Sequence, residues 1–213
     1  MPIDYKIKPN YTYVDTDFSF YDYQIYTTVT QTWSLTAGWN WVGMSVQMSG
    51  AADVSTLLNS HAFDTGDVIL TSKYGSVQYF PAQTGWTGGF YPPQTADSII
   101  LNLGQDCKIK VAKSHSIELT GDMPETHEFK FPVGWFWSSL PISENLPVND
   151  FLPGIWGQGD VLLSSTEGSV QYFPAQTGWT GGWYPPTAQL THFKPGILYK
   201  FKRATAVNAT FTL

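Results

Sequence analysis

The sequence predicts an all-β protein: two tandem small β-barrel or β-sandwich modules behind an extended N-terminal arm. Three observations carry this. Aromatic residues make up 16% of the 213 residues and charged residues only 13%, against roughly 25% charged in an average soluble protein. The β-favouring types Val, Thr, Tyr, Phe and Trp outweigh the helix formers. A long segment also occurs twice. GDVILTSKYGSVQYFPAQTGWTGGFYPP begins at Gly66, and GDVLLSSTEGSVQYFPAQTGWTGGWYPP begins at Gly159, with 23 of 28 positions identical. Such self-similarity is the signature of a repeated structural unit.

Taken in order, residues 1–30 lie outside the repeat and form the arm. They carry Tyr5, Tyr11, Tyr13, Phe18, Phe20, Tyr21, Tyr23 and Tyr26, apolar surface expected to pack on a module, on the junction between modules or on a neighbouring subunit. Module 1 spans 31–113, a linker 114–125, module 2 126–204, and a terminal strand or tail 205–213. Outside the near-identical stretch the copies match more weakly: Gly38-Trp39-Asn40-Trp41 answers Gly134-Trp135-Phe136-Trp137, and Cys107-Lys108-Ile109-Lys110 answers Tyr199-Lys200-Phe201-Lys202. Side chains alternate along a strand. The two Trp of each GWxW therefore share one face, read here as a core face. Cys107, Ile109 and Val111 share one face of the closing strand, with Lys108 and Lys110 on the other. Asp67–Leu70 and Ser98–Leu101 read as further strands, Ala52–Leu58 as a short helix, and Val148–Leu152 as its remnant. Glycines 85, 88 and 89 supply tight turns, and Tyr91-Pro92-Pro93 is expected to be extended.

Composition excludes several functions. Net charge is −6, and no basic cluster beyond Lys200, Lys202 and Arg203 offers a phosphate-tracking surface. No apolar run approaches a membrane span. Met1–Tyr5 has no apolar signal-peptide region. The lone Cys107 cannot build a disulfide framework or zinc site within the chain, and its counterpart Tyr199 points to a packing position.

The order of GWNW, a short helical stretch, GDVI, a Tyr-bearing strand, GWxG and a closing strand resembles the GWNW-type β module of Bacteroidetes-type surface and secreted multidomain proteins. The residues carrying the resemblance are Leu35, Gly38–Trp41, Val68–Ser72, Tyr79 and Trp86-Thr87-Gly88, with Lys194-Pro195-Gly196 and Tyr199 in copy two. It covers both copies and not the first 30 residues. It implies a non-catalytic accessory module and supplies no ligand.

The GWTGG(F/W)YPP segment admits two readings. In one, Trp86, Tyr91, Trp179 and Tyr184 are platforms for the C–H faces of sugars, and Gln78, Gln83, Gln171 and Gln176 are amides for their hydroxyls; two copies would bind bivalently. In the other, Trp86 and Trp179 are core pins behind glycine turns. Asp67 and Asp160 are equivalent acids expected to cap turns. Paired-carboxylate glycoside chemistry needs two acids per site, and each copy repeats only one. His61, His115, His127 and His192 are non-equivalent and lack zinc spacing. Asp15-Thr16-Asp17 with Asp22 lacks the full calcium-loop pattern, and the sequons Asn10-Tyr11-Thr12 and Asn208-Ala209-Thr210 stand alone. Neither a metal nor a cofactor is expected.

These readings converge on a non-enzymatic structural or interaction protein of a multi-subunit surface, a virus particle or a cell-envelope layer. Its partners are other protein subunits, with surface glycans as the alternative in which the tandem modules serve bivalent carbohydrate binding and adhesion. A glycan-active enzyme is the distant third. The expected setting is an extracellular surface or virus particle, with neither nucleic acid nor a membrane span.

Overall fold

A computed structural model describes residues 5–9, 23–48, 52–58, 61–186 and 188–212. The chain begins with β1 (Tyr5–Pro9) and β2 (Tyr23–Leu35). Next come β3 (Gly38–Gly43), helix α1 (Val54–Leu58), β4 (Val68–Thr71), β5 (Gly75–Phe80), β6 (Gly89–Tyr91), helix α2 (Pro93–Ser98), β7 (Asp106–Val111) and β8 (His115–Pro124). The second half contains β9 (Thr126–Phe131), β10 (Gly134–Ser138), β11 (Leu146–Pro147), β12 (Val161–Ser164), β13 (Gly168–Phe173), β14 (Gly182–Tyr184), β15 (His192–Phe193), β16 (Tyr199–Arg203) and β17 (Val207–Thr212).

Each module contains an antiparallel five-stranded sheet, ordered β3-β7-β4-β5-β6 in the first and β10-β16-β12-β13-β14 in the second. A second layer covers the inner face of each: β2 paired with β8, extended by β1, in module 1, and β9 paired with β17 in module 2. None of these sheets closes on itself, so the barrel part of the expectation is corrected to a sandwich-like all-β arrangement. In each five-stranded sheet the end strands, β3 and β6 in one and β10 and β14 in the other, do not pair with each other. The apolar faces of the sheets are covered by a second layer instead.

The cores follow from alternation. In module 1, Trp33 and Leu35 of β2 and Ile117 and Leu119 of β8 pack with Ile69, Val77 and Ile109 of the sheet. Each such buried side chain contributes about 1.5–3 kcal/mol. Core 2 is more aromatic: Phe131, Phe136, Trp156 and Phe201 stack or tilt against one another. Cys107 and Tyr199 are both fully buried, as the packing reading expects. Ser98–Leu101, read as a strand, instead closes α2 and contributes only the isolated bridge Asp53–Ile100. Proline at the first position sets the helical φ there.

Residues 114–125, read as a linker, carry β8, whose Ile117, Leu119 and Met123 are buried beneath the sheet. The tail carries β17, which holds the equivalent place in module 2. The boundary read at residue 30 runs through β2. Of the arm aromatics, Tyr11, Tyr13, Phe18, Phe20 and Tyr21 lie outside the described residues, as do the side chains of Tyr5, Tyr23 and Tyr26 in β1 and β2.

The modules abut without a spacer. Gly43 N–H donates to Gly196 O at 3.0 Å, Gly196 N–H to Ser45 Oγ at 2.8 Å, and Ser139 Oγ to Met44 O at 2.8 Å. The approach is close enough that a Cβ on Gly43 would lie 2.2 Å from Ser139 Cβ.

Candidate functional site

The tryptophan pairs mark the first difference from expectation. Trp39 and Trp135 are 52% and 50% exposed, so the shared face of each GWxW is the outer face, not the core. Register explains it. Trp39 lies directly opposite Lys110 and Trp41 opposite Lys108, with the same arrangement for Trp135–Lys202 and Trp137–Lys200. Residues directly opposite in an antiparallel pair share a face. Burying two unpaired ammonium groups costs more than exposing two indoles, so the lysines take their tryptophan partners outward.

Following the register across the sheet gives a row of five outward residues: Trp39, Lys110, Val68, Gln78 and Tyr91. Module 2 repeats it as Trp135, Lys202, Val161, Gln171 and Tyr184. A second row, Trp41-Lys108-Leu70-Ser76, recurs as Trp137-Lys200-Leu163-Ser169. All nine of these positions are identical between the copies, whereas the next pair of the same alternation, Gly43–Asp106, answers Ser139 and Leu198. The inward positions are not identical. Asn40 answers Phe136, Val42 answers Ser138, Ile69 answers Leu162, and Thr71 answers Ser164. Phe90 answers Trp183, Cys107 answers Tyr199, Ile109 answers Phe201, and Val111 answers Arg203. Glycines apart, only Val77/Val170 and Tyr79/Tyr172 agree. A core tolerates exchange of apolar residues when volume is kept. These outer rows have thus changed less between the copies than the inward positions have.

The duplicated turn completes each face. Gln83 and Trp86 exchange backbone hydrogen bonds at 3.0 and 2.9 Å, as Gln176 and Trp179 do at 2.9 Å. Gly88 (φ +76°) passes so close beneath that a Cβ would stand 2.5 Å from Ala82 N; at Gly181 the distance to Ala175 N is 2.4 Å. The turn brings the Trp86 ring to 6.2 Å from Phe80, with Tyr91 at 6.4 Å from Phe80. In module 2, Phe173, Trp179 and Tyr184 repeat the cluster at 6.1–6.4 Å. Trp86 and Trp179 are 40% and 39% exposed, Tyr91 and Tyr184 55% and 50%. These rings are not core pins. Gln78 and Gln171 sit opposite the tyrosines, and Gln83 and Gln176 lie exposed in the turns. Among the described residues, the exposed large apolar side chains are these three equivalent pairs and Val133.

Sequence reasoning thus found the Trp86/Tyr91 half of each face and missed the Trp39/Lys110 half. The available signal was the identity of GW-x-W and K-x-K across copies whose intervening residues differ.

Where the second rows converge, Trp41 and Trp137 meet edge to face at 4.4 Å. Lys108 Nζ sits 5.2 Å from Trp41 and 4.3 Å from Trp137, and Lys200 Nζ 5.1 Å from Trp137 and 4.8 Å from Trp135. This alternating ladder of rings and ammonium groups spans the junction, each contact contributing about 0.5–1 kcal/mol. Beside it, Trp39, Trp41, Ser165, Thr166 and Lys194 help line a groove of about 300 Å³.

Asp67 and Asp160 do cap turns. Asp67 accepts from Asp64 N–H at 2.8 Å and Ala112 N–H at 2.7 Å, and Asp160 from Gly157 N–H at 2.8 Å and Ala204 N–H at 2.9 Å. Asp160 also pairs with buried Arg203 at 3.1 Å, where module 1 has Val111. Burial presses the Arg203 guanidinium below its ordinary value, against the raising effect of Asp160. Among the described residues, no group of three or more His, Cys, Asp and Glu stands together as metal ligands, and no helix is long and apolar enough to cross a membrane. Asp15, Asp17 and Asp22 lie outside the described residues. Compared with known proteins, the chain matches no family model, no curated sequence and no solved structure.

Proposed function

We propose that the protein is a non-catalytic interaction protein whose two sheets present equivalent carbohydrate-binding faces. The observation that carries the reading is the inversion between faces: the nine outward row residues are identical, and most inward residues are exchanged. Exposed Trp and Tyr rings offer flat apolar surface to sugar C–H faces, and Gln78 and Gln171 stand beside Tyr91 and Tyr184 as amide donors and acceptors. Two such faces held by one direct junction would raise avidity without new contacts. An extracellular surface or a virus particle suits such a protein, and so does the resemblance to GWNW-type accessory modules. The test is a glycan and polysaccharide array probed with the wild type and with Trp86→Ala/Trp179→Ala. Retention by one glycan class, lost in the variant, is the expected result. An array silent for the wild type contradicts the reading.

A second reading, a structural component assembled through protein contacts, is favoured by the start of the chain. β2 begins at Tyr23 while its pairing with β8 begins at Tyr26, and β1 pairs with this forward end of β2. A two-stranded extension of this kind is suited to joining a neighbouring subunit. Light scattering of the full chain and of a form lacking residues 1–22 tests it: a large assembly that falls to monomer supports assembly, and a monomer in both forms removes it.

A further inference from the structure

The two faces differ from the rest of the molecule in charge. The protein carries a net charge of −6, yet the outward rows contain four lysines, Lys108, Lys110, Lys200 and Lys202, and neither Asp nor Glu. The ion pairs among the described residues are Lys113–Asp64, Lys194–Glu167 and Arg203–Asp160, and none draws on these lysines. Lys108 and Lys200 are half-buried in the tryptophan ladder. Lys110 and Lys202 are exposed, each second in the longer row, between Trp and Val. Lys108 and Lys110 thus stand two residues apart on one strand, as Lys200 and Lys202 do, and no ion pair among the described residues neutralises them.

Resting on the carbohydrate reading above, we propose that the ligand is an anionic polysaccharide, one bearing carboxylate or sulfate groups, lying across the strands along the Trp-Lys-Val-Gln-Tyr row. The row spans four strand spacings, roughly 19 Å, which suits a short run of sugar rings rather than a single residue. Trp39 and Tyr91 at its ends take sugar faces, Gln78 takes hydroxyls, and Lys110 takes the acidic group. Module 2 repeats this with Trp135, Tyr184, Gln171 and Lys202. Complementary charge steers the encounter and rejects neutral chains of the same shape. Single-stranded nucleic acid also joins stacking to phosphate contacts, but two lysines per face in an acidic protein do not track a phosphate at every nucleotide.

The experiment is affinity electrophoresis of the full chain through gels containing alginate, hyaluronan or polygalacturonate, each run beside its carboxyl-reduced, neutral counterpart, or dextran sulfate beside neutral dextran, with an oligothymidine mobility shift as a further arm. The inference expects retardation by at least one acidic polymer, a loss of at least tenfold with its neutral form, and weakening as salt rises. It expects a similar loss in Lys110→Gln/Lys202→Gln, retention in Lys110→Arg/Lys202→Arg, and no effect of Lys130→Gln, an exposed lysine of β9 away from these faces. Equal retardation by acidic and neutral forms, or full binding by the Gln variant, overturns the inference and leaves the carbohydrate reading standing. Failure of every polymer, alone or with a shift of oligothymidine, overturns both.

Discussion

Replacing Gly43 by alanine is expected to strike the junction between modules and little else. The backbone there is ordinary strand in β3, so alanine brings no conformational strain of its own. Its Cβ would lie 2.2 Å from Ser139 Cβ and 2.7 Å from Ser139 Oγ, and Ser139 is fully buried. Overpacking of this kind costs about 1–3 kcal/mol. Displacing Ser139 also strains its hydrogen bond to Met44 O, and losing that bond costs about 1 kcal/mol more. The sum, about 2–4 kcal/mol, corresponds to a fall in Tm of roughly 4–16 °C for a chain of this size. Ser139→Gly alone loses the hydrogen bond and is expected to cost about 1–2 kcal/mol. In Gly43→Ala/Ser139→Gly the added methyl fills the space the serine leaves, so the double variant should be more stable than additivity predicts by about 1–2 kcal/mol. Thermal and urea unfolding of the four proteins measures this. A Gly43→Ala protein within about 0.5 kcal/mol of wild type, or strictly additive effects, refutes the described junction.

Other consequences are equally direct. Asp160→Ala should cost about 3–5 kcal/mol in urea unfolding, because it strands buried Arg203 and two backbone donors. Arg203→Val should cost less, since Asp160 keeps its backbone donors, as Asp67 does beside Val111. Gly181→Ala, forcing a Cβ to 2.4 Å from Ala175 N at φ +74°, should destabilise by about 1–3 kcal/mol and abolish ligand retention by module 2 before module 1. Burial holds the His127 imidazole below its ordinary value of 6.5, outweighing the raising effect of Glu128. The unfolded chain therefore binds the proton first: the stability linked to this group is full above about pH 6.5 and is lost as pH falls below it. His127→Phe should flatten that acid-side decline in urea midpoints measured between pH 7.5 and 5, and an unchanged slope refutes it.

The repeat and the alternation of its strands were legible in the residues. Cys107/Ile109 against Lys108/Lys110 is a pattern readable without coordinates, and the short helix at Val54–Leu58 follows from its apolar spacing. The direction of GWxW was not legible from its own residues, because two Trp at alternate positions suit a core as well as an outer face. It is decided by the lysines opposite, and register is a non-local property. The second layer escaped for a similar reason. Ile117 and Leu119 in β8, and Ala209 and Phe211 in β17, alternate well enough, but their partners β2 and β9 lie about 80–90 residues earlier. The candidate site was half legible: Trp86 and Tyr91 sit in the identical stretch, while Trp39 and Lys110 join them only once β3, β7, β4, β5 and β6 are set side by side.

The most direct test of the account is polysaccharide retention by three proteins: Trp39→Ala/Tyr91→Ala, Trp135→Ala/Tyr184→Ala, and the variant carrying all four changes, each checked for wild-type far-ultraviolet circular dichroism. All four side chains are half exposed, so folding should survive. Two equivalent faces predict that either pair of changes leaves weaker, single-face binding and that the four together abolish it. Full retention by the fourfold variant would contradict the claim that these faces bind the ligand.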